Sequence, residues 1–237
     1  MSSAATVKYT IPAASRHTAT VILIHGLGDR AEGLKRIADK FRHDPGLAHV
    51  KWILPESPVR KVRANMDLEM PSWFDIEAFG FNSAEDEAGM LQSAASINHL
   101  ISAEVESGTD SSRIVLGGFS QGATMSLLSG LSGEKRLGGI AVLSGWLPLR
   151  DKFSTLASPL ASSIPVFWGH ISDDPLVRPN HIQASINILT SSLGMPFSTA
   201  DEVEGLTYKV YDGMRHGTNE KELDDMRDWI KRAIPDR

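Results

Sequence analysis

At 237 residues and 41 % hydrophobic content, the chain is long enough to bury a sizeable core and falls within the range of one α/β domain, here expected over 1–237. A formal net charge of −5, with no long Lys/Arg run, argues against nucleic acid as a partner. The absence of cysteine excludes disulfides, thiolate metal sites and a cysteine nucleophile, so covalent chemistry must use another atom.

The first six residues lack the charged-then-apolar pattern of a signal peptide and have no glycine at position two. No apolar run reaches membrane-spanning length. A soluble cytoplasmic protein is expected, with the nucleus also open to it.

In chain order, Thr20 to Ile24 is a β-branched apolar run of the kind a buried parallel strand shows, ending in His25-Gly26-Leu27-Gly28-Asp29. This glycine loop lacks the lysine of a phosphate-binding loop and the third glycine of a dinucleotide fingerprint, so no nucleotide cofactor is expected. Its other use is to present a backbone N–H to a developing oxyanion. Ala31 to Phe41 is predicted as a helix, and Trp52 to Leu54 as a short strand stopping at Pro55.

From Pro55 to Phe81 the pattern is irregular and rich in large apolar residues: Met66, Leu68, Met70, Trp73, Phe74, Ile76, Phe79 and Phe81. Such a segment either packs on the body of the domain or lines an apolar substrate channel. Ser83-Ala84-Glu85-Asp86 has the form of a capping box and is predicted to open a helix through Glu106, with Met90, Ala94, Ile97, Ile101 and Val105 on one face. His99 is off that stripe and reads as a surface residue.

Ile114 to Leu116 leads into Gly118-Phe119-Ser120-Gln121-Gly122, and a helix-compatible run from Ala123 to Leu128 follows. A serine with glycine at minus two and plus two fits a turn tight enough for a side chain at either flank to collide with neighbouring backbone. Such a turn lifts the hydroxyl above the sheet, at a helix N-terminus where negative charge is favoured. Further strands are predicted at Gly139 to Leu143, Pro165 to Trp168 and Tyr208 to Tyr211. Helices are predicted over Val177 to Leu193 and Asn219 to Ala233, the latter with Leu223, Met226, Ile230 and Ala233 inward. Alternating strands and helices imply a mostly parallel sheet covered on both faces, without a large cap domain.

In such a sheet the ligand site lies beyond the carboxyl ends of the strands. Ser120 follows one strand, the adjacent Asp173 and Asp174 a later one, and His216 the last. The order Ser, Asp, His is that of α/β-hydrolases and differs from two other serine-hydrolase orders. The chemistry needs all three: a hydroxyl too weakly acidic to attack unaided, an imidazole to take its proton, and a carboxylate to fix the imidazole tautomer. His25 is the main rival to His216, but its place in the glycine loop suits a ring bonded to loop backbone. His170 reads as structural.

The ordered segments Leu23 to Asp29, Met70 to Ile76, Leu116 to Gly122, Ser144 to Leu149, Asp174 to Val177 and Gly213 to His216 closely resemble the acyl-protein thioesterases and related carboxylesterases, which are small single-domain α/β-hydrolases. The resemblance runs from about Thr20 to the C-terminus. It implies Ser120 as nucleophile, Asp174 as acid and His216 as base, with the backbone N–H groups of Leu27 and Gln121 as oxyanion hole. It also implies that Leu27, Trp73, Ile76, Phe79, Trp146 and Leu176 lie along an apolar acyl channel, and that neither a cofactor nor a metal is needed. The implied reaction is hydrolysis of fatty-acyl thioesters on S-acylated cysteines of proteins through an acyl-enzyme. Lysophospholipase or short-chain carboxylesterase activity is the alternative, and a non-catalytic lipid-binding module the remote one.

Three features depart from the family pattern. Ile171 and Ser172 follow His170 where glycine is usual, Ala123 stands where glycine is frequent, and no N-terminal cysteine is present to carry a lipid. Because long-chain acyl groups sit in bilayers, transient contact with a membrane surface is expected, through the segment from Met66 to Phe81. Gln121 is expected to act through its backbone N–H, so that Gln121→Ala costs far less than Ser120→Ala.

Overall fold

A computed structural model describes residues 6–80, 83–199, 202–213 and 215–237. Phe81 of the apolar segment and Met214 of the motif before His216 lie outside the described residues.

The continuous apolar runs form the strands of one sheet: β2 (Ala19–Ile24), β3 (Val50–Glu56), β6 (Ile114–Phe119), β7 (Gly139–Leu143), β8 (Val166–Ile171) and β9 (Leu206–Tyr211). Ahead of them lies β1 (Thr6–Ile11), and the sheet order is β1-β3-β2-β6-β7-β8-β9. Every pairing is parallel except that of β1 with β3. Strands buried on both faces carry little alternation, which is why β2 and β7 read as nearly continuous apolar runs.

Six helices occur among the described residues. α1 (Ala31–Arg42) and α6 (Glu220–Ala233) cover one face, in a cluster with Phe41, Trp52, Phe167 and Trp229. α2 (Glu87–Glu106), α3 (Gln121–Ser132), the short α4 (Phe153–Leu156) and α5 (Pro179–Asn187) belong to the opposite face, with Ile97, Leu127, Trp168 and Ile182 at its centre. α3 is almost entirely buried.

Several boundaries differ from the expectations. β3 runs through Pro55 because the β2 ladder ends at Ile53, so the missing proline N–H interrupts no parallel pairing, and Pro55 lies opposite Val7 of β1. The apolar segment after Pro55 contains a hairpin, β4 (Val59–Val62) with β5 (Leu68–Pro71). α2 is capped by Asp86, whose side chain accepts from the Gly89 N–H, rather than by Ser83. β8 begins after Pro165 and continues through Gly169, His170 and Ile171, so Ile171 pairs with Tyr211 as ordinary strand. α5 ends at Asn187 and passes into a turn of π-helix, Ile188–Ser192. His99 is exposed, and the inward face of α2 carries Met90, Ala94, Ile97 and Ile101.

Candidate active site

The turn between β6 and α3 is shaped by its two glycines. A Cβ on Gly122 would stand 2.0 Å from the Ile24 carbonyl oxygen, and one on Gly118 would stand 2.5 Å from the Gly122 carbonyl carbon. No L side chain fits either place. Ser120 itself takes φ 55° and ψ −120°, a strained conformation for a residue with a Cβ. The strain is held by the Ser120 N–H donating to Leu143 O at 2.9 Å and by the Thr124 N–H donating to Ser120 O at 3.0 Å.

The loops after β8 and β9 bring two further side chains to this turn. His216 Nε2 lies 2.7 Å from Ser120 Oγ, and His216 Nδ1 lies 2.7 Å from Asp174 Oδ2. A carboxylate can only accept, so Nδ1 carries the proton toward Asp174 and Nε2 accepts the Ser120 hydroxyl. Asp174 is buried, and its Oδ1 accepts the backbone N–H groups of Leu176 and Val177 at 2.8 and 3.0 Å. Burial alone would raise its pKa; the bonds from His216, Val177 and Leu176 outweigh that and hold the carboxyl below its ordinary value. The Phe119 ring packs on the imidazole with centroids 4.8 Å apart.

The neighbouring candidates separate cleanly. Asp173 is exposed, whereas Asp174 faces His216. His25 is fully buried, its Nδ1–H donating to Gly26 O at 2.8 Å and its Nε2 accepting the Ser57 N–H at 3.1 Å. Both nitrogens are engaged, and burial lowers its pKa, so it remains a neutral loop brace. His170 is buried within β8, and burial lowers its pKa as well.

Ser120 and His216 open onto a largely apolar cavity of about 200 Å³. Leu27, Ile76, Phe79, Trp146 and Leu176 line it. Trp73 does not: it is fully buried, and its indole N–H donates to His25 O at 2.8 Å, so it supports the glycine loop from beneath. Phe74 and Met90 take up the wall instead. Phe74 belongs to the same apolar segment, but a sequence cannot say which of two adjacent aromatic rings turns inward.

The backbone at the two expected oxyanion positions is held firmly. Leu27 precedes Gly28, which has φ 73° and donates its N–H to Pro71 O at 2.8 Å, while Gln121 is the first residue of α3. The Gln121 side chain has work of its own that the sequence did not reveal. It is fully buried, its Oε1 accepting the Trp73 N–H at 2.8 Å and its Nε2 donating to Phe74 O at 2.7 Å.

Comparison with known proteins agrees with this architecture. The family described as phospholipase/carboxylesterase matches residues 5–234. Acyl-protein thioesterase 1 of Cryptococcus neoformans is 40 % identical over 224 residues, which are 92 % of this chain and 93 % of that protein. Acyl-protein thioesterase 1 of Gibberella zeae is 37 % identical over 242 residues, 99 % of each chain. Among solved structures, Arabidopsis thaliana SOBER1 superposes with a TM-score of 0.82 at 30 % identity, covering 92 % of this chain and 99 % of that one. Zea mays acyl-protein thioesterase 2 superposes with a TM-score of 0.78 at 28 % identity, covering 95 % and 98 %. The chain belongs to the phospholipase/carboxylesterase family, on a single-domain α/β-hydrolase fold.

Proposed function

We propose that this chain is a serine hydrolase that cleaves fatty-acyl thioesters from S-acylated cysteines of proteins, with Ser120 as nucleophile, His216 as general base and Asp174 as the acid that orients it. The observation that carries the reading is the hydrogen-bonded series from Ser120 through His216 to Asp174 at the mouth of an apolar cavity. The acyl-protein thioesterases to which the chain is similar support the substrate class.

In this mechanism His216 Nε2 takes the Ser120 proton as Oγ bonds to the acyl carbon. The resulting imidazolium is stabilised by Asp174. The carbonyl oxygen becomes an oxyanion, received by the N–H groups of Leu27 and Gln121 at the positive end of α3. Collapse breaks the C–S bond; the cysteine leaves as thiolate and takes up the proton from His216, which returns to its neutral form, and little acid catalysis is needed because a free thiol ionises at about pH 8.5. Water, deprotonated by His216, then attacks the acyl-enzyme and releases the fatty acid and free Ser120.

The substrate's acyl chain begins in a bilayer, and the chain's apolar exposure suits an approach to one. Met66 is 85 % exposed at the turn of the β4–β5 hairpin, with Leu68 beside it, and Phe79 and Leu176 are exposed cavity-lining residues. Among the described residues no helix is long and apolar enough to cross a membrane. Contact is accordingly peripheral and transient.

Rates on a palmitoyl-cysteine peptide, a lysophospholipid and a short p-nitrophenyl ester test the substrate class. The thioesterase reading expects the highest kcat/KM on the peptide. A preference for lysophospholipid or for the short ester would replace it with a lysophospholipase or a carboxylesterase, and absence of turnover on all three would replace it with a binding module.

A further inference from the structure

α6 begins four residues after His216 in the chain, with Asn219 as its N-cap accepting the Glu222 N–H at 2.8 Å. In a capping box the Glu at this third helical position reaches back toward the cap. Here the carboxyl is fully buried: neither oxygen makes a well-formed hydrogen bond among the described residues, while the nearby Asn219 backbone N–H favours the ionised form. It lies on the strand that leads to the acid, because a Cβ on Gly169 of β8 would stand 2.5 Å from Glu222 Oε1 and 2.9 Å from its Cγ. Gly169 has an ordinary strand conformation, so its lack of a side chain serves this contact. The Gly169 carbonyl accepts the Ser144 N–H at 3.0 Å, and the Ser144 hydroxyl donates to Gly217 O at 3.4 Å, beside His216. The acid strand therefore meets α6 at the Gly169–Glu222 contact and the base loop through Ser144.

We propose that Glu222 is a positioning residue for hydrolysis: a buried carboxyl, packed on the Cα of Gly169, that joins the helix behind the His216 loop to the strand ahead of Asp174 and acts on the reaction through those two side chains. The proposal rests on the Ser120–His216–Asp174 reading. Asp174, from the loop after β8, and Tyr211, at the end of β9, whose hydroxyl donates to Asp225 at 2.8 Å, lie within electrostatic reach of Glu222. Burial, with a further contribution from the charge of Asp174, pushes the Glu222 carboxyl up to about 7. Its ionisation places a second negative charge near Asp174.

The test compares pH profiles of kcat/KM on a thioester substrate for the wild type, Glu222→Gln and Gly169→Ala. Glu222→Gln keeps the shape and removes the titration. Its acid limb is expected to lose the ionisation near pH 7 that the Glu222 carboxyl contributes to the wild-type profile. Gly169→Ala drives a methyl into the carboxyl and is expected to lower kcat at least about fivefold; adding Glu222→Ala to the same chain makes room for it and recovers part of that loss.

An acid limb for Glu222→Gln that superimposes on the wild type would overturn the proposal, as would a Gly169→Ala defect that Glu222→Ala deepens. Ser120→Ala serves as the separate control. If it retains turnover the triad reading fails, whereas turnover lost in Ser120→Ala with an unmoved acid limb in Glu222→Gln removes only the role of Glu222.

Discussion

The side-chain oxygen of Gln121 accepts the backbone N–H of Trp73 at 2.8 Å, across 48 residues of chain. The residue that follows the nucleophile thus also fastens the segment that builds the cavity wall. Gln121→Ala leaves the Trp73 N–H buried without its partner and removes one of two bonds to the Phe74 carbonyl, which still accepts the Ser72 hydroxyl at 2.6 Å. We expect a stability loss of about 1–3 kcal/mol, from one orphaned buried group, together with a rise in KM for long-chain substrate. Denaturant titration and kinetics on matched long and short substrates measure the two effects. This revises the expectation that only the backbone of Gln121 matters.

The glycine at plus two is a harsher constraint. In Gly122→Ala the new methyl meets the Ile24 carbonyl oxygen at 2.0 Å, which is backbone on both sides of the contact. The expected outcome is loss of soluble folded protein, read by circular dichroism and size-exclusion chromatography. Ala123→Gly, at the position where the family favours glycine, is expected to cost only about 1 kcal/mol for a glycine inside a helix.

Cavity shape is expected to set acyl preference. Ile76→Trp fills the lining between Asp75 and Phe79 and is expected to reduce kcat/KM for a palmitoyl thioester about tenfold or more, with a smaller effect on an acetyl ester. Rates across a series of acyl lengths for both proteins measure it.

For the membrane approach, Met66→Asp combined with Leu68→Asp removes exposed apolar surface from the β4–β5 hairpin without touching the cavity lining. Co-sedimentation with phosphatidylcholine vesicles should fall severalfold, while turnover of a short water-soluble ester stays within about twofold.

Stability should also depend on pH through Glu222. Its folded pKa is raised from 4.5 to about 7, so the folded state holds the proton more tightly than the unfolded chain. The contribution is full below about pH 4.5 and is lost as pH rises through 7, by an amount on the order of 3–4 kcal/mol. Asp174 has the opposite sign: its folded pKa is depressed, so its contribution is present above the unfolded value of 3.8 and is lost as pH falls through the folded one. Denaturant midpoints at pH 5 and pH 8 for the wild type and Glu222→Gln separate the two, with a flatter profile expected for the variant.

Much of this was legible in the chain itself. Strands buried on both faces announce themselves as apolar runs, and the Gly118 to Gly122 turn shows in sequence because only glycine fits there. What was hidden follows from physics that a local pattern does not carry. β1 is an edge strand whose residues are mostly exposed, so it has no apolar run to find. The β4–β5 hairpin is short and bounded by prolines, and its pairing holds it together more than its composition does. Trp73 and Phe74 are equally apolar, and only the hydrogen bond from the Trp73 indole to His25 O decides which ring supports the loop and which faces the cavity. The inward turn of Glu222 at a capping position is likewise a tertiary choice, visible once Gly169 is seen beneath it.

The most direct test of the central claim is covalent labelling of the purified protein with a fluorophosphonate probe, with hydrolysis of a palmitoyl-cysteine peptide followed in parallel, for wild type and Ser120→Ala. The account predicts one label per chain at Ser120 and thioester turnover in the wild type, with both abolished in the variant. Labelling that persists undiminished in Ser120→Ala, or thioesterase activity that survives it, would contradict the account.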